Sequence, residues 1–252
     1  MIVLKTRKEI EGIRKACQIS AEALRAAGNA VRPGVSTAEI DRVAREYVES
    51  CGAVPNFLNY GGFPGSACIS VNDEIIHGIP SKDRILQEGD IVSIDMGAML
   101  DGFHGDNAAT FPVGKVSDEA MKLIETTRES LYEGIKAAVG GARIGDIGHA
   151  VQKYCEDRGF TVIREYTGHG VGKRLHEDPA VPNYGTPGRG HRLTAGMTIA
   201  IEPMVNEGAK EIIEMPDGWT VKTKDGKLSA HFEHTVLITK GEAEILTLCR
   251  DE

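Results

Sequence analysis

The sequence predicts an α+β fold made of two copies of one unit, and three observations carry that prediction. When the chain is slid against itself, an offset of 107 brings Ile40, Tyr47, Glu49 and Gly52 onto Ile147, Tyr154, Glu156 and Gly159. A fixed offset of this kind is the mark of duplicated architecture. The same offset, without a gap, sets Gly78, Pro80, Leu86, Gly89, Ile94 and Asp95 on Gly185, Pro187, Leu193, Gly196, Ile201 and Glu202. Third, helix-start signals precede short β-branched runs in both halves. The expected organisation is one domain over residues 1–252, with repeat halves 1–115 and 116–252.

Each half should open with two helices. Thr6-x-x-Glu9 forms a capping box ahead of the first, and Ser36-x-x-Glu39 another ahead of the second, after a link punctuated by Pro33 and Gly34. In the second half Ser117-Asp-Glu119 places acids in a first turn, where the positive end of the helix dipole favours them. The segment 144–159 then repeats 37–52. Strands follow the helices. Ile91-Val-Ser-Ile94 and Thr198-Ile-Ala-Ile201 are β-branched runs after a glycine, and Thr235-Val-Leu-Ile-Thr239 is a third. The chemistry-bearing acids therefore sit on strands or beside them.

Composition narrows the class. The chain has 252 residues, 41% hydrophobic and 26% charged, with five cysteines and a net charge of −8. That length suffices for a sizeable core. Met1-Ile-Val-Leu-Lys5 turns charged at Arg7, Lys8 and Glu9, so it lacks the apolar run of a signal peptide, and no later stretch would span a bilayer. A cytoplasmic location with no membrane partner is expected. Cys17, Cys51, Cys68, Cys155 and Cys249 are odd in number and free of CxxC pairs, which argues for reduced thiols rather than a disulfide framework or a zinc knuckle. No Lys/Arg cluster offers a footprint for nucleic acid.

Asp95 ends an apolar strand that should be buried, where an ionised carboxylate is costly unless paired or metal-bound. In Leu100-Asp-Gly-Phe-His-Gly-Asp106 the glycines suggest a turn and an antiparallel return that brings Asp106 beside Asp95, leaving Asp101 to the turn. Glu202 is the repeat mate of Asp95, and Glu233 takes the part of Asp106 on its own strand. Four converging carboxylates repel one another unless multivalent cations balance them, and two divalent ions would do so. A single imidazole is a fitting complement. His169, in Tyr166-Thr-Gly-His-Gly-Val-Gly172, is the best candidate because glycines let the backbone approach a site closely. His176 lies seven positions on. An HExxH helix is excluded because position 180 is Ala, and a GxGxxG loop because position 173 is Lys. His104, His149, His191 and His234 read as ordinary core or surface imidazoles, and His231 stays open.

These residues form a pattern. His77-Gly-Ile-Pro80, Asp95 with Asp106, Thr167-Gly-His-Gly-Val-Gly172 with His176-Glu177, Glu202-Pro203 and Glu233-His-Thr235 resemble the type I methionine aminopeptidases over nearly the whole chain. The resemblance implies the pita-bread fold, a duplicated α+β unit with the site between its halves. Only 31 positions separate Glu202 from Glu233, which leaves no room for the helical insertion of type II enzymes. A form without an N-terminal extension is expected.

By resemblance, Asp95 would chelate one metal, His169 and Glu202 the other, with Asp106 and Glu233 bridging. Two divalent ions, Co, Mn, Fe or Zn, would activate a hydroxide that attacks the first peptide bond, with Glu202 as the proton shuttle. His176 would stabilise the tetrahedral intermediate and His77 contact the scissile amide. The methionine pocket carries over to Tyr60, Phe63, Cys68 and Trp219, with Phe57 and Leu175 on its wall; sulfur and aromatic faces suit a thioether. Gly61 stands where many relatives carry His, His231 where Gln is common and Leu175 where an aromatic residue is usual. The implied partner is the N-terminus of nascent polypeptides with a small second residue, and the implied state a monomer. Ribosome association is expected of such an enzyme but has no signature here. Two rivals remain: a proline-directed peptidase of the same fold, which generally carries a large N-terminal domain, and a non-catalytic binding relative, which usually loses ligands.

Overall fold

Thr6 starts the first helix by local chemistry. Its hydroxyl accepts from the Glu9 amide at 3.3 Å while the Glu9 carboxylate accepts from the Thr6 amide at 2.9 Å, closing the expected box. In the computed structural model, which describes residues 1–249, α1 runs Arg7–Asn29 and α2 Thr37–Ser50. In the second half α3 runs Asp118–Ala137 and α4 Ile144–Glu156. One cap differs from expectation. Ser36 accepts from Glu39, but the Glu39 carboxylate turns to the Arg42 guanidinium at 2.6 Å instead of closing a box. The N-cap of α4 is Arg143, whose amide is held by Asp146 at 2.7 Å.

The strands of the first half are β1 (Val54–Pro55), β2 (Ala67–Val71), β3 (Glu74–Ile76), β4 (Ile91–Leu100) and β5 (Phe103–Pro112). Those of the second are β6 (Thr161–Val162), β7 (Gly168–Gly170), β8 (Glu177–Val181), β9 (Thr198–Ile201), β10 (Met204–Asn206), β11 (Ile212–Glu214), β12 (Val221–Thr223), β13 (Ser229–His231), β14 (Glu233–Leu237) and β15 (Glu244–Ile245). Nine of them form one sheet in the order β1-β4-β5-β14-β9-β7-β8, with β2 added on β4 and β15 on β14. Its pairings are antiparallel. Two three-stranded sheets, β13-β10-β6 and β11-β12-β3, complete the α+β architecture. The last of these joins a first-half strand to a second-half hairpin.

The repeat read from the sequence is a repeat of the core. Ile40 and Ile147, Leu86 and Leu193, Val92 and Ile199, and Ile94 and Ile201 are all buried. The first of each pair belongs to the cluster beneath α1 and α2, and the second to the cluster beneath α3 and α4. Even the isolated bridges repeat, Ser36 with Ile85 and Arg143 with Arg192. Gly89 and Gly196 share left-handed backbones, φ 94° and 97°, which only glycine adopts without strain. Side chains alternate across a strand, so Val92, Ile94 and Met96 face the helices while Asp95 faces the opposite way. Among the described residues no helix is long and apolar enough to cross a membrane.

Candidate metal centre

Five neighbouring strands of the large sheet each deliver one donor to the face away from the helices. Asp95 lies on β4, Asp106 on β5, Glu233 opens β14, Glu202 follows β9 and His169 is the middle of β7, which is the order of the strands in the sheet. Register makes them converge. Asp95 and Glu233 both pair with Ala108, Asp106 pairs with Gly97 two positions along the same ladder, and His234 pairs with Ile201, setting Glu233 level with Glu202. Asp101 is at the β4–β5 turn with φ 52°, exposed and apart from the cluster. The glycines around His169 permit the approach: a Cβ on Gly168 would overlap the Ala200 carbonyl, and one on Gly170 the Asp178 carbonyl.

His169 is held in one tautomer. A carbonyl can only accept, so Nδ1 donates to the Gly170 carbonyl at 2.9 Å, leaving the Nε2 lone pair toward Asp106 Oδ2 at 3.7 Å and Glu202 Oε1 at 3.6 Å. Asp106, His169 and Glu233 present donor atoms within 4.8 Å of one another. Asp95 Oδ1, Asp106 Oδ1 and Glu233 Oε1 are buried with no hydrogen-bond partner among the described residues. Burial pushes Asp95 up to about 7. Burial first, then the neighbouring carboxylates, push Asp106 and Glu233 well above the usual carboxylate range; burial and then Asp95 do the same to Glu202. Unpaired buried carboxylate oxygens beside an oriented imidazole fit two divalent cations, and O-rich sites with one imidazole accept several first-row metals.

This predicts how the metal-free protein responds to pH. A carboxylate with a raised folded pKa stabilises the fold at low pH and loses that contribution as pH rises through the folded value. His77 and His169 are held down to about 4, chiefly by burial, and His231 to about 3, so their contributions are complete above the ordinary imidazole value of 6.5. From pH 6.5 to 8 the carboxylates therefore dominate. In EDTA the melting temperature should fall across that window, and with Mn(II) the fall should disappear; calorimetry at both ends checks it, and a flat or rising EDTA curve would refute it.

The donors form the floor of a cavity of about 370 Å³ whose upper wall is apolar and aromatic. Tyr60, Phe63, Cys68, His77, His176 and Trp219 all line it together with the five donors. Trp219 meets Phe63 edge-on at 5.2 Å, and His77, in the left-handed region at φ 58°, stands edge-on to Tyr166 at 5.6 Å. The Tyr60 hydroxyl is 2.8 Å from His176 Nδ1, and the His176 ring lies 4.2 Å from that of His169. Phe57 is on the wall, but Leu175 is buried behind it, packed in one cluster with Phe57, Phe63 and Cys68. The imidazoles read as ordinary include His104, bonded to Asn56 at 2.8 Å, and His234, bonded to Thr247 at 2.9 Å. His231 is fully buried, with Nε2 3.7 Å from Glu202 Oε2 and neither ring nitrogen hydrogen-bonded among the described residues.

Residues 11–240 match metallopeptidase family M24. A methionine aminopeptidase of Clostridium acetobutylicum is 52% identical over 99% of this chain and all of its own length. The crystal structure of a Thermotoga maritima methionine aminopeptidase superposes with a TM-score of 0.97, at 47% identity and 98% and 99% coverage of the two chains. The chain belongs to metallopeptidase family M24. A prolidase of Pyrococcus furiosus shares the fold at TM-score 0.80 and 27% identity, but this chain spans 66% of it. As an M24 metallopeptidase the chain is a metal-dependent hydrolase, and its pita-bread fold is the one expected from the motifs. Four further residues line the cavity without having been expected from the sequence, Ile76, Glu165, Tyr166 and Thr167. Tyr166 and Thr167 stand in the glycine-flanked motif that singled out His169, which is the signal that could have found them.

Proposed function

We propose that this chain removes the N-terminal methionine from polypeptides with a small second residue, with Asp95, Asp106, His169, Glu202 and Glu233 holding two divalent ions. One observation carries the reading: the apolar, sulfur-and-aromatic wall and the carboxylate–imidazole floor belong to one cavity. A methionine side chain against Phe63, Cys68 and Trp219 puts its own peptide bond over the donors. When bound, the two ions would lower the pKa of a water and polarise the scissile carbonyl.

The chain's own groups do the rest. Glu202 has Oε1 toward His169 and Oε2 toward His231, and its backbone carbonyl is held by Asn183 at 2.9 Å, so the carboxylate is positioned to take and return a proton. Burial, then His104, lowers the pKa of His176 and keeps it neutral. With the Tyr60 hydroxyl donating to Nδ1, the ring proton stays on Nε2, ready to donate to the developing oxyanion. His77, neutral for the same reason of burial, faces the scissile amide. Nascent chains are the natural substrate on this reading, in the cytoplasm, with the enzyme acting as a monomer and meeting ribosome-borne N-termini.

Replacing Trp219 by Ala should raise KM for Met-Ala-Ser about tenfold, the loss of a large apolar contact, with kcat little changed. Steady-state kinetics on the loaded enzyme read this directly. The function itself is tested by cleavage of Met-Ala-Ser, Met-Lys-Ser and Ala-Pro-Ser after chelation and again after Mn(II) addition. Metal-dependent release of methionine from Met-Ala-Ser alone is expected. Cleavage confined to the proline peptide would move the chain to the prolidase reading, and no cleavage of any of the three after Mn(II) addition would leave a binding role.

A further inference from the structure

His176 ends the loop between β7 and β8, and the element that closes this loop comes from the far end of the chain. Glu177, the next residue, takes its amide partner from inside the loop: Oε1 accepts from the Arg174 amide at 3.1 Å, and the Gly172 amide donates to the Arg174 carbonyl at 3.1 Å. The carboxylate fills the loop so closely that a Cβ on Gly172 would stand 2.6 Å from Oε1. Its other oxygen, Oε2, accepts from Lys5 Nζ at 2.8 Å, and the two side chains are only 5% and 9% exposed. Lysine is almost never buried this far without a partner, and a buried charge left alone is costly. Lys5 is itself anchored, its amide donating to the Gly196 carbonyl at 2.8 Å just before β9, the strand that leads to Glu202. A second pair, half-buried Glu9 with exposed Lys173 at 3.0 Å, ties the same loop to the start of α1.

Resting on the role proposed above for His176, we infer that Lys5, through its buried ion pair with Glu177, is a positioning residue that fixes the loop end from which His176 reaches the substrate. Tyr60 holds the ring from the mouth of the cavity, and Lys5 holds the backbone from behind. Without the ammonium, Glu177 keeps its backbone amide donor but loses its countercharge, so it must leave the loop or draw water in, and the His176 ring shifts with it. A donor that acts on the transition state is sensitive to such displacement, so the loss falls on kcat and not on KM.

The test is a cycle of four metal-loaded proteins: wild type, Lys5→Met, His176→Ala and the double variant, with Lys5→Arg as the conservative control. Lys5→Met should lower kcat for Met-Ala-Ser by about 10- to 100-fold with KM little changed. Lys5→Arg, which keeps a cation at the same place, should restore most of it. In the His176→Ala background the Lys5→Met change should alter kcat by no more than about twofold, because its route to the reaction is gone. Equal fold-losses in both backgrounds would overturn the inference while leaving the role of His176 intact. A His176→Ala protein with wild-type kcat would overturn the catalytic reading and the inference together. Should Lys5→Met fail to fold, Lys5→Gln, which retains a neutral donor, replaces it in the same cycle with the same outcomes.

Discussion

Glu202→Gln is expected to lower kcat for Met-Ala-Ser by about 10³-fold at saturating Mn(II), within the range for loss of a positioned acid–base group. The substitution keeps the shape of the side chain and one ligand oxygen, but an amide oxygen takes up no proton. Glu202 is suited to that work because, among the described residues, neither oxygen is tied to a Lys or Arg side chain. One faces His169 and the other His231, both neutral at pH 7 because burial lowers their pKa. Metal content measured on the same sample separates the two possible losses. An inactive protein that still holds metal supports the proton role, whereas near-normal kcat with metal bound would transfer that role to another residue.

The second large effect concerns the oxyanion. His176→Ala should cost about 10²- to 10³-fold in kcat, the usual loss when one donor to a developing negative charge is removed, with KM for the peptide nearly constant. The neighbouring Tyr60 gives the companion result. Tyr60→Phe removes the hydroxyl that pins Nδ1 at 2.8 Å, so it should show a smaller loss of the same kind. Steady-state kinetics on all three proteins decide the matter, and a His176→Ala enzyme impaired in KM alone would place the residue in substrate binding.

Much of this site was legible in the sequence because its parts break a pattern. Asp95 and Glu202 are acids at the end of apolar β-branched runs, and Asp106 and Glu233 stand at strand positions where burial demands compensation. The offset of 107 was legible because it is written in core residues such as Ile40 and Ile147, whose burial depends on the helix period, and in Gly89 and Gly196, whose backbone conformation excludes other residues. What escaped was set by competing partners, some a helical turn away and some distant in the chain. Glu39 satisfied the spacing of a capping box, yet a guanidinium one helical turn away offers its carboxylate a charged hydrogen bond that the Ser36 amide cannot match. Arg143 carries no cap signal by residue type, and its amide is satisfied by Asp146 instead. Leu175 follows a motif that points at the cavity but is buried among Phe57, Phe63 and Cys68 and does not line it. The contacts of Tyr60 with His176 and of Lys5 with Glu177 join residues 116 and 172 positions apart, which no local period reveals.

On the proposed function, Asp95, Asp106, His169, Glu202 and Glu233 would hold two dications that the reaction requires. Titrating the chelated protein with Mn(II), while bound ions and methionine released from Met-Ala-Ser are counted in the same samples, tests this most directly. Two ions per chain are predicted, with release absent before they bind, and an Asp106→Asn protein should bind them weakly and release methionine slowly. Methionine release that survives complete chelation, or an Asp106→Asn protein that binds both ions with unchanged affinity, would contradict it.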